Sequence, residues 1–248
     1  MIYVGLDDTD IEGSPGTNKL ALTLAAQLAD RYEVVQIVRH QLLFDPRVPY
    51  TSQNGSASMA IRGKGPGDRG EGRGGEITAL AEELSARIVR WCPAGSDPGL
   101  CITAEVPPSI VEFGQRCQCN LVKQHEAREA AAAEGMLLVG LGGTQDGVIG
   151  ALAAVGLCAA GNDGRVIYLG VAATDISDIS GPQSLDQLAR YGIHDVIEQD
   201  TGRTVTRGTV DVGKKLRPNI RGRRTVLYVK PGAPPAVGEP LWQAIKVH

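Results

Sequence analysis

Short β-branched runs alternate with runs of helical period through most of this sequence, and this alternation restricts the fold more than any other feature. Strand-length apolar runs occupy residues 2–6, 34–38, 57–61, 99–106, 136–139 and 166–169. Helical patterns occupy residues 18–31, 77–88, 125–134 and 148–160, the first with leucines at 20, 24 and 28. Strands that alternate with amphipathic helices are typical of layered α/β or α+β folds. We therefore predict a fold of that class.

The pattern of predicted elements changes after Gly181, because the predicted strands become short, as at residues 204–212 and 225–229. A Pro- and Gly-rich connector at residues 231–240 precedes a last short helix in this interpretation. We expect one domain over residues 1–180 and a short-stranded region over 181–248. Between those strands lies a basic run, which comprises Lys214, Lys215, Arg217, Arg221, Arg223 and Arg224.

Composition excludes several classes of protein. The net charge is -3, so no overall basic field is available to hold a nucleic acid, and any such role needs a local patch. The 5 cysteines include no pair at zinc-ribbon spacing, and their odd number favours reduced thiols. No apolar run reaches the roughly 18 residues of a membrane span. We expect a cytoplasmic protein that makes no membrane contact.

Three carboxylates crowd the end of the first predicted strand, at Asp7, Asp8 and Asp10. If the strand continues through these residues, alternation sends Asp8 and Asp10 to one side of the sheet and Asp7 to the other. Their mutual repulsion would be relieved by a divalent cation, and oxygen ligands suit magnesium. A turn stabilised by Asx hydrogen bonds accounts for one or two of the acids, but not for all of them.

Two glycine loops each lead into a predicted helix, where backbone N–H groups favour phosphate. The first spans residues 13–19, and its Lys19 would add a charge, although the Walker A spacing is absent. The second spans residues 140–147 and is equally compatible with an ordinary strand-to-helix turn. A further Gly-rich stretch at residues 63–75 is interpreted as a solvated loop. The Asn54-Gly55 step is an ordinary hairpin signal.

Several of these segments together resemble one enzyme family. In order along the chain they are Asp7-Asp8-Thr9-Asp10, Gly16-Thr17, residues 45–50 followed by Asn54-Gly55, residues 97–100 and residues 147–156. This ordered set is similar to that of the archaeal tRNA-isoleucine 2-agmatinylcytidine synthetases. Those enzymes use ATP to activate the C2 oxygen of the wobble cytidine, which agmatine then displaces.

The resemblance implies a kinase-like α/β domain joined to a ferredoxin-like α+β domain, to which part of residues 60–135 would belong. It also implies ATP and Mg²⁺ as cofactors, with Asp7, Asp8 and Asp10 as catalytic and metal-binding residues. Thr17 corresponds to the threonine that is phosphorylated in the family. The predicted nucleotide-binding residues are Thr9, Gly16, Asn18, Lys19, Asn54, Gly55, Gly142, Gly143, Thr144 and Gly147.

The sequence also departs from the family. Family enzymes are longer and carry an OB-fold and a zinc ribbon, so we expect a short homologue that lacks both. Gly16, Asn18 and Lys19 stand where the family has Cys, Thr and Tyr around the phosphorylated threonine. The motif therefore specifies the nucleotide half of the reaction and leaves its acceptor open.

The acceptor is either tRNA or a small molecule. A tRNA would bind through the basic run at residues 214–224, in a homodimer or with a separate substrate-binding partner. An alternative function is a non-catalytic RNA- or nucleotide-binding module, or a subunit of a larger complex.

Overall fold

The computed structural model describes residues 1–48, 51, 53–65, 73–172, 175–232 and 241–247. The chain forms two compact units, Met1–Ala160 and Gly161–His248. The second unit thus begins before Gly181, the residue after which the predicted strands become short. The reason is that the strand Arg165–Leu169 pairs with residues of the C-terminal region. Among the described residues, no helix is both long and apolar enough to cross a membrane.

The first unit is an antiparallel sheet with helices on both faces. Its described strands are β1 (Ile2–Asp7), β2 (Tyr32–Gln41), β3 (Gly55–Gly63), β4 (Gly99–Thr103) and β5 (Leu137–Gly140), in the order β5-β4-β1-β3-β2. Its described helices are α1 (Thr17–Leu28), α2 (Arg73–Trp91), α3 (Pro108–Cys119), α4 (Gln124–Ala133) and α5 (Gly147–Ala160). Because β1 and β2 both run antiparallel to β3, they end at the same edge of the sheet, where β3 begins.

Small residues determine how α5 packs on this sheet. A Cβ atom at Gly5 of β1 would lie 2.9 Å from the carbonyl carbon of Ala151, so only glycine allows the helix to approach so closely. Gly156 meets the backbone of Ile110 in α3 in the same way. The Gly- and Ala-rich sequence of α5 therefore allows it to pack tightly against the sheet and α3. On the other side, α1 buries its predicted leucines at 20, 24 and 28.

Two local features of the first unit differ from the sequence predictions. Helix α1 spans Thr17–Leu28 instead of the predicted residues 18–31, and its N-cap, Gly16, makes no side-chain capping bond. Helix α3 was not predicted at all. Pro107 and Pro108 open it, and proline is favoured at the first turn of a helix because the missing N–H has no partner there anyway.

The second unit is rich in short strands, as predicted. Its described strands are β6 (Arg165–Leu169), β7 (Pro182–Ser184), β8 (Asp195–Glu198), β9 (Thr209–Asp211), β10 (Asn219–Arg221), β11 (Arg224–Pro231) and β12 (Leu241–Ala244). Their order is β6-β10-β11-β12-β9-β7, and β8 runs parallel to β11. A short helix, α6 (Leu185–Arg190), and a 3₁₀ turn at Ile176–Asp178 complete the described part of the unit.

The prediction of a last short helix was wrong, because residues 241–244 form β12 between β11 and β9. Pairing with both neighbours outweighs the local preference of so short a segment. Residues 233–240 of the predicted connector lie outside the described residues, as do residues 66–72 of the glycine-rich loop and Pro49 and Tyr50 of the quoted motif. The mixed α/β class is confirmed.

Candidate active site

A cavity of about 380 Å³ opens in the first unit at the edge of the sheet where β1 and β2 end. The N-termini of α1 and α5 reach it through residues 16–18 and 146–150. The start of β3 and the connection from α3 to α4 supply further parts of the wall. Two helix N-termini at one cavity favour a ligand that carries negative charge.

All of the predicted catalytic aspartates line this cavity, with Asp7 against Gly150 of α5 and Asp10 beside Thr17 of α1. Strand β1 ends at Asp7, and Asp8 adopts the left-handed conformation with φ 51°. The alternation of the strand therefore stops before Asp8. The backbone N–H of Asp97 donates to the Asp8 carbonyl oxygen at 3.1 Å and holds this turn in place.

Burial raises the pKa of each of these carboxyls, and neighbouring acids add to the shift at Asp7 and Asp8. The pKa of Asp7 rises to about 8, chiefly through burial and then through the charge of Asp8. The pKa of Asp8 rises to about 6, through burial first and then through Asp97, Asp10 and Asp146. Burial also raises the pKa of Asp10, although hydrogen bonds from Thr17 oppose the shift. The site thus favours the entry of positive charge.

The donor set suits a magnesium ion that has few protein ligands and takes its other ligands from water and phosphate. In the described part of the chain, no group of three or more His, Cys, Asp or Glu side chains is placed to hold a metal ion. Magnesium in nucleotide sites commonly uses one or two carboxylates and completes its shell with water and phosphate oxygens. The crowded carboxylates of Asp8 and Asp10 would suit such a site, whereas a cage made only of protein ligands is not formed.

Thr17 lies in a short hydrogen-bonded chain at the start of α1. The Thr9 hydroxyl donates to Thr17 Oγ1 at 3.0 Å, and Thr17 Oγ1 donates to Asp10 Oδ1 at 3.3 Å. Thr9 is fully buried and supports this arrangement without lining the cavity. The hydroxyl of Thr17 is thus held beside a carboxylate that can accept its proton.

The other predicted residues around α1 divide into two groups. Gly16 and Asn18 line the cavity, and Asn18 Oδ1 is buried with no hydrogen-bond partner among the described residues. Lys19 is exposed and does not line the cavity. An orphaned buried oxygen commonly marks a place where a ligand or water supplies the missing donor.

The middle of the second glycine loop holds Asp97, and only the end of the loop lines the cavity. Thr144 donates from its backbone N–H at 2.6 Å and from its hydroxyl at 2.9 Å to the Asp97 carboxylate. A Cβ atom at Gly143 would lie 2.8 Å from Asp97 Cγ. Gly142, Gly143 and Thr144 are thus not part of the cavity wall, whereas Gly147 is.

Asn54 and Gly55 both line the cavity and shape its wall at the start of β3. Asn54 has φ 40°, and its Nδ2 donates to the carbonyl oxygen of Leu43 at 2.6 Å. Gly55 lies beneath the guanidinium of Arg39. The hairpin signal in the sequence therefore marks a piece of the site as well as a turn.

Sequence reasoning missed most of the remaining wall. Its cations are Arg39, Arg47 and Lys123. The bidentate hydrogen bonds from Arg47 lower the pKa of Asp45 to about 2. The apolar residues of the cavity wall are Leu42, Leu43, Val48, Cys117, Leu121, Val122 and Ile149. The α3–α4 connection that supplies several of them carries no recognisable motif, so no signal in the sequence could have found it.

The basic run of the second unit is partly engaged in ion pairs. Arg224 forms a bidentate pair with Asp195, with Nε 2.6 Å from Oδ2 and Nη2 3.1 Å from Oδ1. Lys214 and Lys215 are exposed. The run is therefore not one uniform basic patch.

Comparison with known proteins gives structural matches only. No protein-family model matches the chain, and no curated protein matches it. A crystal structure of the TiaS–tRNA(Ile2)–AMPCPP–agmatine complex matches at a TM-score of 0.52 and 16% identity, over 98% of this chain and 59% of that chain. Apo TiaS, a tRNAIle2 agmatidine synthetase, matches at a TM-score of 0.49 and 21% identity, over 62% of this chain and 35% of that chain.

The predicted resemblance is thus confirmed at the level of the fold. The chain shares the fold of TiaS over almost its whole length, but it spans less than two thirds of the length of that chain.

Proposed function

We propose that the first unit binds ATP with Mg²⁺ and transfers a phosphoryl group to activate an acceptor, in a reaction related to tRNA modification. The observation that carries this proposal is the buried Thr17 hydroxyl beside Asp10, in a cavity that also contains Asp8 and the N-terminus of α1. The cavity combines carboxylates that favour a cation with helix ends that favour phosphate. Under this proposal the first unit acts as the kinase-like domain, and the second unit, which includes residues 181–248, completes a ferredoxin-like part.

The residues of the chain have distinct tasks in this proposal. Asp8 and Asp10 would hold Mg²⁺, which when bound neutralises charge on the phosphates. The backbone N–H groups of residues 16–18 would contact phosphate oxygens, and Asn18 Oδ1 would accept a hydrogen bond from the ligand. Asp7 would remain a buried positioning group against Gly150, where a Cβ atom would lie 2.9 Å from the Asp7 Cβ.

Thr17 would act either as the first phosphoryl acceptor or as a phosphate contact. As an acceptor, Thr17 Oγ1 forms a bond to the γ-phosphorus, its proton passes to Asp10, and ADP leaves with the electrons of the broken P–O bond. As a contact, the hydroxyl orients the phosphoryl group while a separate acceptor attacks. Both roles use the position of the hydroxyl between Thr9 and Asp10.

The acceptor would be tRNA or a small molecule. The TiaS complex contains tRNA(Ile2), AMPCPP and agmatine, which supports a nucleotide and a tRNA as ligands of a protein with this fold. The exposed Lys214 and Lys215 would contribute to tRNA binding, in a homodimer or with a separate partner protein. The same lysines support the second candidate, a non-catalytic RNA-binding module.

Incubation with [γ-³²P]ATP and Mg²⁺ tests this proposal, with the protein alone, with total tRNA and with a metabolite extract. We expect label on the wild-type protein or on one acceptor fraction, and none with Asp8→Asn. Loss of protein label in Thr17→Val identifies an acceptor threonine, and Thr23→Val is the matched control because Thr23 lies on α1 away from the cavity. No ATP cleavage, together with tRNA binding that Asp8→Asn leaves intact, would refute the enzyme and favour the binding module.

A further inference from the structure

We infer that Arg39 is a phosphate-binding residue of this cavity, and that Gly55 sets the position of its guanidinium. This inference rests on the proposed function and assigns a role to residues outside the aspartate cluster. Neither the aspartate motif nor the glycine loops pointed to Arg39.

The strand register explains how the two residues meet. Arg39 of β2 lies opposite Ala57 of β3, and Gln41 lies opposite Gly55. Gly55 is thus the diagonal neighbour of Arg39 on the same face of the sheet, within reach of a long side chain. A Cβ atom at residue 55 would lie 2.6 Å from Arg39 Cζ and 2.8 Å from Nε. The guanidinium therefore occupies the space that any larger residue at position 55 would fill.

Neighbouring groups fix the guanidinium in this position. Arg39 Nη2 donates to Gln41 Oε1 at 3.0 Å and lies 3.5 Å from the carbonyl oxygen of Gln53. Gln41 is itself held, because its Nε2 donates to the carbonyl oxygens of Leu42 and Asn54 at 3.0 and 3.1 Å. A side chain held in this way loses little conformational freedom when it binds a ligand.

The placement suits a phosphate chain in the same cavity as Asp8, Asp10 and Thr17. An arginine guanidinium presents a planar fork that matches two phosphate oxygens, which a lysine cannot do. A fixed cation beside the transferring group would stabilise charge in the transition state.

Three variants separate this assignment from a structural role. Arg39→Gln removes the charge, Arg39→Lys keeps a charge without the fork, and Gly55→Ala displaces the guanidinium without changing it. Gly63→Ala is the matched control, because Gly63 ends the same strand and a Cβ atom there would lie 3.9 Å from its nearest neighbour, Glu76 Oε1. Circular dichroism and the melting temperature establish that each variant folds.

The measurement is calorimetric binding of Mg²⁺–tripolyphosphate and of Mg²⁺–ATP, followed by kcat for phosphoryl transfer. We expect Arg39→Gln and Gly55→Ala to weaken both ligands by roughly 10- to 100-fold, the usual effect of losing a charge-assisted hydrogen bond. We expect kcat to fall about 100-fold or more. The double variant should be no worse than Arg39→Gln alone, because both changes act on one guanidinium. Arg39→Lys should be intermediate.

The outcomes distinguish the two proposals. If ATP binds and reacts, but Arg39→Gln and Gly55→Ala match Gly63→Ala, the assignment of Arg39 is overturned and the proposed function stands. Additive losses in the double variant also overturn the role of Gly55. Wild-type protein that binds tripolyphosphate but not ATP refutes the proposed function; Arg39 is then kept as a phosphate-binding residue if Arg39→Gln weakens tripolyphosphate binding, and is overturned if it does not. Protein that binds neither ligand refutes both.

Discussion

Replacement of Asp7 by Asn should stabilise the folded protein at neutral pH and have little effect in acid. The Asp7 pKa is about 8 in the folded protein, against 3.8 for an unperturbed aspartate, chiefly because the carboxyl is buried. Asn has a similar shape and carries no charge at any pH. The variant therefore removes the free-energy penalty of a charged carboxylate at this position, and it opens no cavity.

The sign of the effect follows from proton linkage. A carboxyl with a raised pKa binds its proton more tightly in the folded state, so the free energy of unfolding falls as pH rises from 3.8 towards about 8. The slope is at most about 1.36 kcal/mol per pH unit, which gives a loss of about 3 kcal/mol between pH 5 and pH 7. Asp7 faces the cavity, where water reduces the penalty, so this figure is an upper value. The free energy of unfolding of Asp7→Asn should show none of this fall, because Asn does not titrate.

Urea unfolding at pH 5, 6, 7 and 8 without divalent ions measures this difference. The fluorescence of Trp91 reports on the first unit in a Trp242→Phe background, because Trp91 lies in α2 and Trp242 in β12. The control is Asp45→Asn, since Arg47 lowers the pKa of Asp45 to about 2 and no gain is expected there. A stability difference between Asp7→Asn and the wild type that is the same at every pH would refute the reasoning.

Three further predictions concern the cation, the packing and the basic run. Binding of Mg²⁺ with a non-hydrolysable ATP analogue at pH 7 should release protons, so the calorimetric heat will depend on the buffer, and Asp7→Asn should release fewer. Gly5→Ala should cost about 1–3 kcal/mol in urea unfolding, because its Cβ atom would lie 2.9 Å from the carbonyl carbon of Ala151. Replacement of Lys214 and Lys215 by Gln should lower the salt dependence of tRNA binding by about two counterions, measured by filter binding.

The regular elements of the first unit could be predicted because each carries its own periodic signal. Strand β1 and helix α1 bury the apolar residues that define their patterns, and Gly135 and Gly161 follow α4 and α5 with positive φ. Helix α3 carries a weaker signal, because two prolines precede its buried face. Strand β12 depends on partners that are distant in the sequence, which no local pattern contains.

The candidate site could be predicted only where its chemistry is concentrated in one segment. Asp7, Asp8, Asp10 and Thr17 come together because β1 leads through a short loop into α1. Arg39 reaches the same cavity through the register of β2 and β3, and the α3–α4 connection reaches it through helix packing. Such residues share no sequence neighbourhood with the motif, so their role follows only from the folded arrangement.

Strand geometry stops at Asp8, which adopts the left-handed conformation with φ 51°, and the reason bears on function. A left-handed residue with a side chain costs roughly 1–2 kcal/mol, less for Asp than for most, and glycine would remove that cost. At this position the chain instead keeps a carboxyl whose pKa is raised to about 6 by burial and by three other acids. Both features reduce stability, and both bring the carboxyl to the cavity wall beside two helix N-termini. A residue that is unfavourable for the fold in two independent ways is best explained by what it binds.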